Sequence, residues 1–145
     1  MTARVQQNQL LALIVDDEPF FRTVLRLFLE QDGYRVAEAE NGIEAINVFE
    51  QLHPDIVLLD ISMPDMDGFE CCHKLHSLAQ GQNTPILMLT SVEDERSINR
   101  AFAAGATDYV TKLVLLPILR QRLKRLIEQS QLQQKLLAAN QQLQL

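Results

Sequence analysis

Three short runs of apolar residues stand out along the chain: Leu10 to Val15, Ile56 to Leu59 and Ile86 to Leu89. Each is too short for a helix and lacks the polar alternation of a half-exposed strand, the pattern of strands in a parallel sheet covered on both faces. Two weaker strand candidates, Tyr34 to Ala37 and Asp108 to Thr111, bring the series to five. Between them apolar residues return at helical spacing: Phe21, Val24, Leu25 and Phe28, then Ala45, Ile46, Phe49 and Leu52, then Ile98, Ala101 and Phe102. Punctuation falls where the period changes. Asp32-Gly33 closes the first helix, Asn41-Gly42 opens the second, His53-Pro54 ends it, and Gly105 ends the fourth. Strand and helix thus alternate five times, which predicts an α/β fold of (βα)5 type with a doubly wound parallel sheet.

From Pro117 onward the pattern is that of one helix, with proline at the first helical position, where its missing N–H costs nothing. Leu119, Leu123 and Leu126 form one stripe; Leu132, Leu136, Ala139 and Leu143 form another at heptad spacing, offset by one position. Such an offset indicates a stutter rather than an unbroken coiled coil. Seven of the last 19 residues are glutamine, and no glycine or proline stops the helix. The expected division is a globular domain over residues 9–127 and a helical linker or coiled-coil extension over 128–145. A linker role and a dimerising role for that extension are compatible.

Length and composition narrow the classes. At 145 residues, 47% of them hydrophobic and 22% charged, the chain has material for one domain with a core and an appendage. No apolar run approaches the roughly 18 residues that span a bilayer, and Thr2 to Gln9 lacks the layout of a secretion signal, so no membrane association is expected and the cytoplasm is the expected location. The two cysteines, Cys71 and Cys72, are adjacent and ill-placed to bridge each other, which fits a reducing compartment. The formal charge of −6 is uneven: residues 1–116 carry 8 basic and 18 acidic groups, residues 117–145 carry 5 and 1. So acidic a body argues against direct nucleic-acid binding. The basic cluster Arg120, Arg122, Lys124 and Arg125 fits the solvated face of an amphipathic helix.

Ligands of open α/β sheets bind outside the carboxyl ends of the strands. The first strand ends in Asp16-Asp17-Glu18, the third in Asp60, the fourth in Thr90-Ser91 and the fifth in Thr111-Lys112. With a flavodoxin-like strand order of 2-1-3-4-5, Asp16, Asp17 and Asp60 converge on one pocket. Three crowded carboxylates repel, and a hard divalent cation with oxygen ligands relieves them; Mg²⁺ fits because it keeps waters and phosphate oxygens beside one or two carboxylates. Lys112 adds a second positive charge and Thr90 a hydroxyl donor. Together these are the parts for an aspartyl-phosphate, with Asp60, at the end of the central strand, as nucleophile and Asp16 and Asp17 as metal holders. Each piece alone is ordinary: acidic turns often follow strands, and Thr90 by itself suits a helix N-cap. Their joint occurrence at four strand ends is what points to function.

The motifs Ile14-Val15-Asp16-Asp17-Glu18-Pro19, Asp60-Ile61-Ser62-Met63-Pro64-Asp65-Met66-Asp67-Gly68, Leu89-Thr90-Ser91 and Gly105-Ala106-Thr107-Asp108-Tyr109-Val110-Thr111-Lys112 resemble those of bacterial two-component response-regulator receiver domains over about residues 9–127. The resemblance implies that Asp60 takes a phosphoryl group from a sensor histidine kinase or phosphotransfer protein. It implies Mg²⁺ held by Asp17, Asp60 and the backbone carbonyl of Ser62, with Asp16 acting through water. It also implies a switch in which Thr90 moves toward the phosphoryl group and Tyr109 turns inward, repacking the face of the fourth helix, fifth strand and fifth helix, a surface for a homodimer together with the C-terminal helix. The segment Pro117 to Arg122 further resembles receivers joined to diguanylate cyclase domains, as in a multidomain regulator whose effector follows the helix.

One departure stands in the last motif. The family usually has a proline after the lysine, joined through a cis bond; here Leu113 follows Lys112, and a cis bond before leucine costs about 2.5 to 4 kcal/mol. A trans bond or shifted loop, with Lys112 less firmly placed, is therefore expected. The apolar stretch Leu113 to Leu116 suggests a covered surface. On the third helix, Cys72 and His76 have a spacing that can grip zinc, but the residues read better as Phe69, Cys72 and Leu75 facing the core with His73 and His76 facing water. Rival functions are a small-molecule phosphatase or phosphotransferase, which would usually need a carboxylate where Ser62 stands, and a flavodoxin-like cofactor binder, which would need a phosphate loop after the first strand.

Overall fold

The computed structural model describes residues 9–78, 81–91, 95–114 and 116–143. Five strands, β1 (Leu11–Val15), β2 (Arg35–Ala39), β3 (Ile56–Asp60), β4 (Ile86–Thr90) and β5 (Asp108–Thr111), form one parallel sheet in the order β2-β1-β3-β4-β5. The helices are α1 (Pro19–Gln31), α2 (Gly42–Leu52), α3 (Gly68–Ser77), α4 (Glu95–Ala103) and α5 (Leu116–Leu143). This is the flavodoxin-like doubly wound order expected from the alternation of elements.

The three central strands are buried along their whole length, which is why their sequences run apolar without alternation. Successive side chains still point to opposite faces and feed two separate cores. Leu13, Val15, Val57, Leu59 and Met88 join Phe49 of α2, Phe69, Cys72 and Leu75 of α3, and Ala101 of α4. On the other face Ala12, Ile14, Leu58, Leu87 and Val110 meet Leu25, Phe28 and Leu29 of α1 and Leu119, Leu123, Leu126 and Ile127 of α5. The edge strand β2 is only half covered, and it runs two residues beyond the Tyr34 to Ala37 segment that its composition suggests.

The helix boundaries follow the predicted punctuation. Asn41 caps α2, its Oδ1 accepting from the Glu44 N–H at 2.8 Å, and Asp67 caps α3 in the same way through the Glu70 N–H at 2.9 Å. Gly33 and Gly105 take positive φ of 93° and 106° just past α1 and α4, and His53 takes φ 49° after α2. Leu52 and Phe102, expected on buried stripes, are instead half exposed; each lies in the last turn of its helix.

α5 starts at Leu116, so Pro117 is its second residue. Its first half is fastened to the body: Arg120 pairs with Asp32 at 2.7 Å, Arg122 with Asp108 at 3.0 Å, and Ser130 Oγ donates to the Asn83 carbonyl at 3.1 Å. The second stripe, Leu132, Leu136, Ala139 and Leu143, is exposed. In the loop before it, Leu113 is 88% exposed while Val114 reaches the α1/α5 core, so the apolar stretch is only partly covered; Leu115 lies outside the described residues. Residues 1–8 also lie outside them. Among the described residues no helix is long and apolar enough to cross a membrane.

Candidate functional site

At the carboxyl end of the sheet the residues after β1, β3 and β5 remain hydrogen-bonded to a neighbouring strand. The Asp16 N–H donates to the Ala39 carbonyl of β2 at 3.1 Å, and the Ile61 N–H to Leu89 of β4 at 3.0 Å. The Lys112 N–H donates to Thr90 of β4 at 2.7 Å. The sheet ladder therefore reaches one step past the strands and fixes the backbone of the acidic turn, the Asp60 loop and the lysine. Asp60 pairs in register with Leu89, and Thr90 with Thr111.

Around this frame the predicted carboxylates meet. Asp16, Asp17 and Asp60 each offer an oxygen within 4.8 Å of the others. Asp16 and Asp60 are buried, at 1% and 2% exposed, while Asp17 is open to solvent. Lys112 Nζ stands 2.9 Å from Asp16 Oδ2, 3.3 Å from Glu18 Oε1 and 3.4 Å from Asp60 Oδ1. The ammonium also lies 4.7 Å from the centre of the Phe21 ring, a favourable cation–π distance. The Lys112–Leu113 bond is trans, as expected. Lys112 is nonetheless held firmly, against expectation, because its own N–H is tied to β4 and three carboxylates surround its charge before Leu113 comes into play.

Charge balance in the pocket is incomplete. Asp60 Oδ1 accepts from the Ser62 N–H at 3.3 Å, and Asp16 Oδ1 from the Glu18 N–H at 2.9 Å. The remaining oxygens, Asp16 Oδ2 and Asp60 Oδ2, are buried without a hydrogen bond. Burial, and then the Asp16 charge, push the Asp60 carboxyl up to about 7, outweighing the downward pull of Lys112 and the Ser62 N–H. Burial works to lower the Lys112 ammonium, but Asp16, Asp60 and Glu18 outweigh it and hold it above its ordinary value. Asp16 Oδ2 has the Lys112 ion pair, whereas Asp60 Oδ2 has no partner; a buried oxygen without a partner in an all-oxygen set of three carboxylates suits a hard divalent cation.

Glycine shapes the loop that carries Asp60. A Cβ at Gly68 would lie 2.3 Å from the Asp60 carbonyl oxygen, and its N–H donates to the Ile61 carbonyl at 2.7 Å, so the start of α3 is drawn onto the end of β3. Asp65, at φ 69°, makes the reversal. Ser62 sits exposed on this loop, two residues after Asp60. Thr90 is buried beside Asp60's strand, and Tyr109 is buried in the α2/α3/α4 core with Met88, Ala101 and Ala106.

The cysteine–histidine group does not join this site. Cys71 is buried along with Cys72, and burial pushes both thiols up to about 12, as inert neutral groups. His76 is half buried rather than turned to water, since its ring lies against Gly105, where an added Cβ would come within 2.7 Å of it.

Two residues of this neighbourhood were not singled out from the sequence. Arg22 of α1 donates from Nη1 to the Asp16 carbonyl at 2.7 Å, and its Nε pairs with Glu38 of β2 at 3.1 Å. The only sequence signal is an arginine one turn into the helix after an acidic turn, which has no meaning until the helix is placed over β2.

Comparison with known proteins agrees with this arrangement. Residues 12–128 match the family described as response regulator receiver domain. The chain is 41% identical over 107 residues to the transcriptional regulatory protein ResD of Bacillus subtilis, covering 74% of this chain and 43% of that protein. It is 40% identical over 100 residues to the chemotaxis protein CheY of Halobacterium salinarum, covering 69% and 82%. Thus the chain spans less than half of ResD but most of that CheY. Among solved structures it superposes on chemotaxis protein CheY4 of Vibrio cholerae with a TM-score of 0.79 at 31% identity, covering 81% of this chain and 98% of that one. The receiver domain of a Pseudomonas aeruginosa sensor histidine kinase, solved with a magnesium ion in its active-site cleft, gives 0.78 at 29% identity over 83% and 98%. The chain belongs to the response regulator receiver domain family, the phosphoacceptor signalling modules of two-component systems.

Proposed function

We propose that Asp60 is the phosphoacceptor and that a histidine kinase or phosphotransfer protein supplies the phosphoryl group from a phosphohistidine. The observation that carries the assignment is the buried Asp60 carboxylate at the end of the central strand, with one oxygen unpartnered and Lys112 3.4 Å from the other. In the transfer an Asp60 oxygen forms the new bond to phosphorus as the bond to the kinase's imidazole nitrogen breaks, leaving that electron pair on the ring. Lys112 and the Thr90 hydroxyl would meet phosphoryl oxygens. Asp17, Asp60 and the Ser62 carbonyl would hold Mg²⁺, with Asp16 acting through water. When bound, Mg²⁺ neutralises charge on the carboxylates and the incoming phosphoryl group.

The output follows from the same geometry. Thr90 and Tyr109 lie on adjacent strands, so a shift of Thr90 toward phosphorylated Asp60 disturbs the packing around Tyr109 and hence the α4-β5-α5 face. The distal stripe of α5, with Leu132 61%, Leu136 63% and Leu143 83% exposed, supports association of two copies through this helix. The burial of Ile127 and the exposure that follows support a receiver domain over 9–127 and a helical extension over 128–145, through which the signal passes to a second copy or to a further domain of a longer regulator, a diguanylate cyclase being one such domain.

The test is labelling with a small phosphodonor. Wild-type protein should incorporate phosphate with Mg²⁺ and not with EDTA, and the product should survive acid and be lost in alkali. Asp60→Asn should abolish it; labelling that survives this substitution would overturn the proposal.

A further inference from the structure

Asp17 is the least constrained member of the acidic cluster. Its carboxylate is exposed, and among the described residues no hydrogen bond or ion pair holds it. The positions it can reach therefore depend on its backbone, that is, on the peptide joining it to Asp16. Two groups grip Asp16's peptides from opposite sides. The Asp16 N–H is bound to Ala39 of β2, and its carbonyl accepts from Arg22 Nη1 at 2.7 Å.

The arginine is itself oriented. Its Nε pairs with Glu38 Oε1 at 3.1 Å, and the other carboxylate oxygen of Glu38 pairs with Arg26 Nη1 at 2.6 Å. Both ends of the Arg22 fork are thus committed, one to the acidic turn and one to the strand residue beside Ala39. A half-buried guanidinium with a carboxylate partner gives a well-defined position, which a flexible ammonium would not.

We infer that Arg22, oriented by Glu38, is a positioning residue that fixes the Asp16–Asp17 peptide and so aims Asp17 into the cation site. The inference deepens the proposed function and rests on the reading of Asp16, Asp17 and Asp60 as a cation site. It makes a prediction opposite in sign to simple electrostatics. Arg22 carries a positive charge near a cation site, so through its field alone its removal would strengthen Mg²⁺ binding. As a positioning residue its removal weakens it, by about tenfold, the scale on which loss of groups that orient metal ligands acts.

Calorimetric titration of Mg²⁺ into the full chain distinguishes these accounts. Arg22→Met should bind Mg²⁺ about tenfold more weakly than wild type. Arg22→Lys keeps the charge but loses the fork, and should also bind more weakly. Arg26→Met, which removes the other partner of Glu38 without touching the Asp16 carbonyl, should leave Mg²⁺ affinity unchanged. Equal or tighter binding by Arg22→Met, full affinity in Arg22→Lys, or an equal loss in Arg26→Met would each overturn the inference. Should Arg22→Met not fold, Arg22→Lys decides. A wild-type chain that takes up no Mg²⁺ would instead overturn the cation site itself, and the inference with it.

Discussion

The carboxyl end of the sheet and the distal half of α5 break opposite rules of folding. At the first, carboxylates are buried, one of them with an oxygen that has no partner; at the second, leucines are exposed. Between the two, strands and helices obey the rules closely, with two apolar cores and side-chain caps on α2 and α3. Stability alone explains the middle of the molecule and neither end. The proposed phosphoacceptor site accounts for the first departure, and the proposed association of two copies for the second.

The largest effect should appear at the acidic end. The folded-state value of Asp60, about 7 against an ordinary 3.8, means that the native protein holds its proton more tightly than the unfolded chain. The associated stability is complete below the ordinary value and is lost as pH rises toward 7, about 4 kcal/mol in all at 1.36 kcal/mol per pH unit. Urea unfolding in EDTA should thus show Asp60→Asn gaining on wild type as pH is raised, until the variant is the more stable by a few kcal/mol. Mg²⁺ should restore wild type, by about 2.7 kcal/mol at a hundredfold excess over its Kd. A difference between the two proteins that does not change with pH would remove the idea of a strained acidic site.

Within α5 the comparison can be made inside a single helix. Leu123 is fully buried against the sheet, so Leu123→Ala should cost about 2 to 5 kcal/mol. Leu136→Ala, on the exposed stripe, should change the stability of the monomer by less than about 0.5 kcal/mol. Sedimentation equilibrium should show the reverse ranking for association, with Leu136→Ala weakening self-association of the folded chain. Equal stability losses at the two positions in dilute monomer would mean that the distal half is covered after all.

Much of this was legible in the sequence, for physical reasons that differ between elements. β1, β3 and β4 are readable because burial on both faces forces apolar runs, and the meeting of Asp16, Asp17 and Asp60 because they stand where two such runs stop. β2 was shifted because an edge strand, half exposed and carrying Glu38, has no such signature. Lys112 was expected to be loose from one local feature, Leu113, whereas its position is set by carboxylates far away in sequence. Arg22 and Glu38 escaped notice for the same reason: their contact joins a helix to an edge strand, and its value lies in a backbone carbonyl that no residue letter records.

If the proposed function is right, Asp60 itself carries the phosphoryl group. Borohydride reduction of the phosphorylated chain converts an aspartyl-phosphate to homoserine, and peptide mass spectrometry then locates it. Homoserine at position 60, formed only when Mg²⁺ was present, is the predicted result. Homoserine at position 16 or 17, or phosphate recovered on a histidine, would contradict the assignment.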